Sequence, residues 1–169
     1  ALGARGSRRV APGEEDGLEA ARAVAAAEAV DVDGYGTSRW SPKEALFPST
    51  EALFSYRLEG NDVALETPPA GEEEQVLFAV RPCDAAGLAR LDEMFLGDGE
   101  DSLYASRRAR TATVSLACES ARPECFCTAV GGSPAGADGS DLQLVSLGEE
   151  WLLRPLTEKG AALAGDASA

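Results

Sequence analysis

The sequence predicts a mixed α/β fold: a small sheet with a parallel strand-helix-strand unit and flanking hairpins. Three stretches carry that prediction. Residues 75–81 (QVLFAVR) are a short apolar run of buried-strand composition, and 111–117 (TATVSLA) form a second such run. Between them, 84–96 places Leu88, Leu91, Met94 and Phe95 at helical spacing, which lays one apolar face on a sheet. A strand-helix-strand crossover makes its two strands parallel, so both end at the same carboxyl edge. Open α/β sheets bind their ligands at that edge.

Residues 1–16 are rich in Arg, Gly and Glu without apolar periodicity, and the expectation is an extended or mobile lead-in. Asp16 or Gly17 then caps an Ala-rich helix over about 18–30, where Leu18, Ala21 and Val24 keep helical spacing. The connector 31–48 is marked by Gly34, Gly36, Pro42 and Pro48. Trp40, Phe47, Leu53, Phe54 and Tyr56 make the region unusually aromatic and apolar, and the expectation is that it wraps the core edge and buries those rings. Runs at 54–58 and 62–66 flank Glu59-Gly60-Asn61 and predict a hairpin.

After the central unit, 131–140 is a loop by composition. Strands are predicted at 142–147 and 151–155 around Gly148-Glu149-Glu150, followed by a short helix capped by Thr157 and running through Leu163. The tail from Gly165 is expected to fray. The domain reading is therefore a lead-in and helix over 1–40, one α/β cysteine-cluster domain over 41–164, and a tail over 165–169.

Composition narrows the chemistry. The 169 residues carry a net charge of −14, which repels phosphate backbones and argues against nucleic acid. No apolar run approaches the roughly 20 residues of a membrane span. With no histidine, Ser-His, Cys-His and His-metal sites are excluded. Four cysteines do not make a disulfide scaffold at this length, so the expected setting is reducing and cytoplasmic. No nucleophile–base pair can be assembled, and the chain by itself does not read as a catalyst. Gly131-Gly132 matches no phosphate-loop pattern. Arg107-Arg108-Ala109-Arg110 reads as a solvated patch or docking surface.

The cysteines are the strong chemical signal. Cys83 follows the first strand and Cys118 the second, with Cys125-Phe126-Cys127 seven residues beyond. If the strands are parallel, both strand-end cysteines leave one edge and the Cys125/Cys127 loop is free to fold over them. Four thiolates meeting there are the ligand set of a metal ion or an iron–sulfur cluster. Buried packing or a redox disulfide are the plainer roles of such thiols. The C-x34-C-x6-C-x-C pattern has neither zinc knuckles nor a ferredoxin run, so spacing leaves zinc and iron–sulfur both open. The start of a helix at Cys83 favours a thiolate, and Arg81 and Arg122 bring positive charge near the ligand segments or else pair with Asp84, Asp92 or Glu124.

Ser41-Pro42-Lys43-Glu44-Ala45-Leu46-Phe47-Pro48, the segment from Val76 through Arg81-Pro82-Cys83-Asp84, Tyr104, Arg107-Arg108, Cys118, Cys125-Phe126-Cys127 with Gly131-Gly132, and Leu156-Thr157-Glu158-Lys159-Gly160 resemble a known family. It is the amino-terminal domain of the sulfhydrogenase beta subunit, which also opens the A subunit of anaerobic sulfite reductase. The resemblance implies an electron-transfer subunit with a [4Fe-4S] cluster held by Cys83, Cys118, Cys125 and Cys127. It implies as partners a flavin-containing reductase subunit and a catalytic hydrogenase or sulfite reductase subunit. The family continues into a ferredoxin-like region with two further four-cysteine runs, which this sequence lacks, so the reading is a truncated or separated module. The alternative is a metal-free or zinc-bound structural or docking module with no redox role.

Overall fold

A computed structural model describes residues 8–15, 18–24, 41–67 and 73–167. Among them, strands β1 (Arg8–Glu15), β2 (Leu18–Val24), β5 (Gln75–Val80), β6 (Thr111–Leu116), β7 (Leu142–Ser146) and β8 (Trp151–Pro155) form one sheet in the order β2-β1-β5-β6-β7-β8. The β1/β5, β5/β6 and β6/β7 pairs are parallel, and antiparallel pairs close both edges. Strands β3 (Ser55–Glu59) and β4 (Asp62–Glu66) make a separate hairpin turned at Gly60, whose φ of 67° suits glycine. The helices are α1 (Pro82–Phe95), α2 (Ser102–Ala109) and α3 (Glu158–Ala167).

The parallel centre of the sheet is covered on both faces, as its apolar strands require. Leu46, Leu77, Val80, Ala85, Leu88 and Tyr104 pack on the α1/α2 face. Val76, Ala79, Val114, Leu116, Leu142 and Leu144 pack on the other, where Leu163 of α3 joins them. A bulge in β5 decides this division. The register with β6 steps from Phe78 to Val80, and the extra residue, Ala79, has φ 57°. Strict alternation would give Val80 the face of Val76; the bulge turns it to the face of Leu77 instead.

The predicted central unit, hairpin and closing strands are all present. Thr157 caps α3, its Oγ1 accepting from the Gly160 amide at 3.2 Å. Several expectations are corrected. The Ala-rich stretch from Leu18 is strand through Val24, not helix, and the lead-in supplies β1: paired backbone outweighs the helix preference of alanine. Residues 25–30 of the expected helix and Trp40 lie outside the described residues. The tail does not fray at Gly165, since α3 runs to Ala167. Helix α2 was not expected; Asp101 starts it, accepting from the amides of Leu103 and Tyr104.

The aromatic connector is only partly buried. Phe47 stacks on Phe95 with centroids 4.8 Å apart, whereas Leu53, Phe54 and Tyr56 are each more than 60% exposed. Nor is the arginine run a solvated patch. Arg108 Nε lies 3.0 and 2.9 Å from the two Asp92 carboxylate oxygens, tying α2 to α1. Arg107 pairs with Glu51 and donates to the Leu46 carbonyl.

Candidate cysteine centre

Strand β5 ends into Arg81, the residue that starts α1, with Pro82 at the first helical position and Cys83 next. Strand β6 ends at Leu116, two residues before Cys118. Because the strands are parallel, both cysteines leave the same carboxyl edge. From there the chain runs through Cys125 to a single 3-10 turn, Cys127–Val130, and back to β7. Gly131, at φ 81°, ends that turn, and a Cβ on Gly132 would lie 3.1 Å from the Cys127 carbonyl oxygen. The two glycines serve a close turn behind Cys127. The Cys118 amide donates to the Pro134 carbonyl at 2.9 Å, and the Gln143 side chain donates to the Gly136 carbonyl at 2.8 Å, pinning the loop to the sheet.

All four cysteines are free thiols. Cys83 and Cys125 are exposed and Cys118 and Cys127 half-buried, so none is core packing. They are electrostatic neighbours in a chain centred on Cys118: Cys83 feels the charge of Cys118, and Cys118 that of Cys125 and Cys127. Cys83 and Cys127 also line one cavity together with Gly131, Gly132, Gly136 and Asp138. Among the described residues, no three Cys, Asp or Glu side chains are grouped so as to hold a metal ion as they stand.

Charge around the sulfurs differs from expectation. Burial is the main influence on Cys83 and Asp84 the second, and together they raise its thiol pKa although the amides of Asp84 and Cys83 pull it down. Burial also raises the pKa of Cys118, against the opposing pull of Arg81. The start of α1 thus favours a thiolate less than desolvation opposes it. Arg81 is buried, with Nη1 3.9 Å from Cys118 Sγ. At Arg122 it is the backbone amide that faces a ligand candidate, donating to Cys125 Sγ at 3.3 Å. Asp92, a possible partner for these arginines in the sequence, is taken by Arg108 and Tyr104. Sequence reasoning did not single out Asp138 or Gly136, since only the returning loop brings them to Cys83.

The donor set is soft: four free thiols, no imidazole, and positive charge from Arg81 at one sulfur. In donor chemistry, though not in their grouping as they stand, these thiols suit an iron–sulfur cluster or zinc.

Fold and edge together define an α/β domain that presents Cys83 and Cys118 from the carboxyl ends of two parallel strands, with Cys125 and Cys127 on the segment between β6 and β7. The chain is a distant member of the sulfhydrogenase beta-subunit family, being 33% identical over 121 residues, 70% of its length, to sulfhydrogenase 2 subunit beta of Pyrococcus furiosus. That match covers 34% of the relative, so the chain spans about a third of its length. No protein-family model and no solved structure matches the chain. Among the described residues, no helix is long and apolar enough to cross a membrane.

Proposed function

We propose that this chain is an electron-transfer module of a multi-subunit oxidoreductase, carrying one [4Fe-4S] cluster on Cys83, Cys118, Cys125 and Cys127. The observation that supports the reading is that Cys83 and Cys118, both free and incompletely buried, follow adjacent parallel strands at one sheet edge, while Cys127 lines a cavity with Cys83. Kinship with a sulfhydrogenase beta subunit favours a redox setting over a purely structural one. When bound, the cluster supplies one-electron redox chemistry at a site open to a docking protein.

In this reading the chain's residues do three things. The thiols give up their protons and bind iron; the loop of Gly131 and Gly132 lets Cys127 approach the same space as Cys83; Arg81 balances the accumulated negative charge. The partners are a flavin-containing reductase subunit and a catalytic hydrogenase or sulfite reductase subunit, met through a small interface. Exposed Phe126 and Val130 offer apolar contact beside the cysteines. The setting is the reducing cytoplasm.

Anaerobic reconstitution with iron and sulfide tests this. The expected product has about four irons and four sulfides per chain and a broad visible absorption that is lost in Cys118→Ser. Stoichiometric zinc with no iron uptake would replace the redox reading with a zinc-held docking module.

A further inference from the structure

We propose that Arg81 and Asp84, opposite charges one helical turn apart at the start of α1, set the reduction potential of the cysteine-held cluster, with Arg81 raising it and Asp84 lowering it. The inference rests on the cluster reading above and adds to it a pair of residues that tune the site without ligating it.

The geometry gives Arg81 a short path to the site. The bulge at Ala79 puts an extra residue into β5 just before it, and Pro82 fixes the chain direction after it. Arg81 is 9% exposed and its Nη1 is 3.9 Å from Cys118 Sγ. Asp84 follows Cys83 directly and is half-buried. Each charge therefore sits beside a different strand-end cysteine.

Reduction transfers one electron to the cluster, adding one full negative charge while the four sulfur ligands stay in place. A fixed positive charge stabilises the reduced state more than the oxidised one, and a fixed negative charge does the reverse. Partial burial makes both effects larger than they would be in water, because the surroundings screen less. Charge and hydrogen bonding at ligand sulfurs are established determinants of cluster potential.

The test is an EPR-monitored redox titration of reconstituted full-length protein, with dithionite as the one-electron donor. At a fixed ambient potential, Arg81→Met is expected to lower the reduced-to-oxidised ratio at least tenfold, a shift of about 59 mV to more negative potential. Arg81→Lys, which keeps the charge, should stay within about threefold of the parent, and Asp84→Asn should move the potential upward. Should Arg81→Met take up no iron, the upward shift of Asp84→Asn decides, because that variant leaves Arg81 in place. Coincident potentials in the parent and Asp84→Asn, or in the parent and a loaded Arg81→Met, overturn the proposal while leaving the cluster reading intact. A parent that binds no iron removes the cluster reading itself and this inference with it.

Discussion

Gly139 meets the carbonyl of Ala85 so closely that a Cβ at Gly139 would lie 2.0 Å from that oxygen. Its φ of 74° is also one that favours glycine. The loop carrying Asp138 is therefore packed backbone to backbone on the first turn of α1, the turn that holds Cys83. Gly139→Ala is expected to cost about 2–4 kcal/mol, combining overpacking with left-handed strain, and to reduce iron uptake. Gly148→Ala has similar strain, at φ 92°, but open space around it, and should cost only about 1 kcal/mol. Urea unfolding of the two variants checks this; equal midpoints would mean that the Gly139 contact is not tight.

Ala79 pays a steric cost for the bulge that turns Val80 to the α1/α2 face. Ala79→Gly should therefore be neutral or stabilising by up to about 1 kcal/mol, whereas Ala79→Val should destabilise by more than 2 kcal/mol at this buried left-handed position. Thermal melts of both variants would expose a regular β5 if valine were tolerated.

Loss of a ligand and loss of the core should separate. Cys125→Ser and Cys127→Ser sit on a loop with little apolar burial, so iron content should fall while the apo protein melts within a few degrees of the parent. Val80→Asp and Leu116→Asp each put a charge into a central strand, at positions 7% and 4% exposed, and should cost more than about 3 kcal/mol. Equal melting losses in the two apo series would contradict the assignment of the loop as peripheral to the core.

Tyr104 carries a pH signature. Its hydroxyl donates to Asp92 Oδ1 at 2.6 Å, and its ring packs on Phe95 with centroids 5.0 Å apart. Burial first, and the Asp92 bond second, hold its pKa well above the usual tyrosine range. The folded state thus keeps this proton more tightly than the unfolded chain does. The resulting stability is complete below the unfolded pKa of about 10 and is lost as pH rises through the folded value. Tyr104→Phe should cost about 1 kcal/mol at neutral pH and flatten the alkaline fall in stability. Denaturation at pH 7 and pH 11 checks both, and an unchanged alkaline slope would assign that fall to other groups.

Much of the fold is legible in the chain because its signals are short-range. The apolar runs of β5 and β6, the spacing of Leu88 and Leu91 in α1, the Gly60 and Gly148 turns and the Thr157 cap each act within a few residues. So does the adjacency of Cys83 and Cys118 to strand ends, which is why the candidate ligands could be named from sequence. Other features needed partners far along the chain. Alanine-rich 18–24 prefers helix locally and becomes strand because β1 supplies its hydrogen bonds. Arg108 looks solvated until Asp92 of α1 closes on it. The bulge at Ala79, the seating of Gly139 on Ala85 and the approach of Arg81 to Cys118 leave no local pattern. They arise from packing between segments whose separation in sequence hides them, so only the tertiary structure decided which charges face the cysteines.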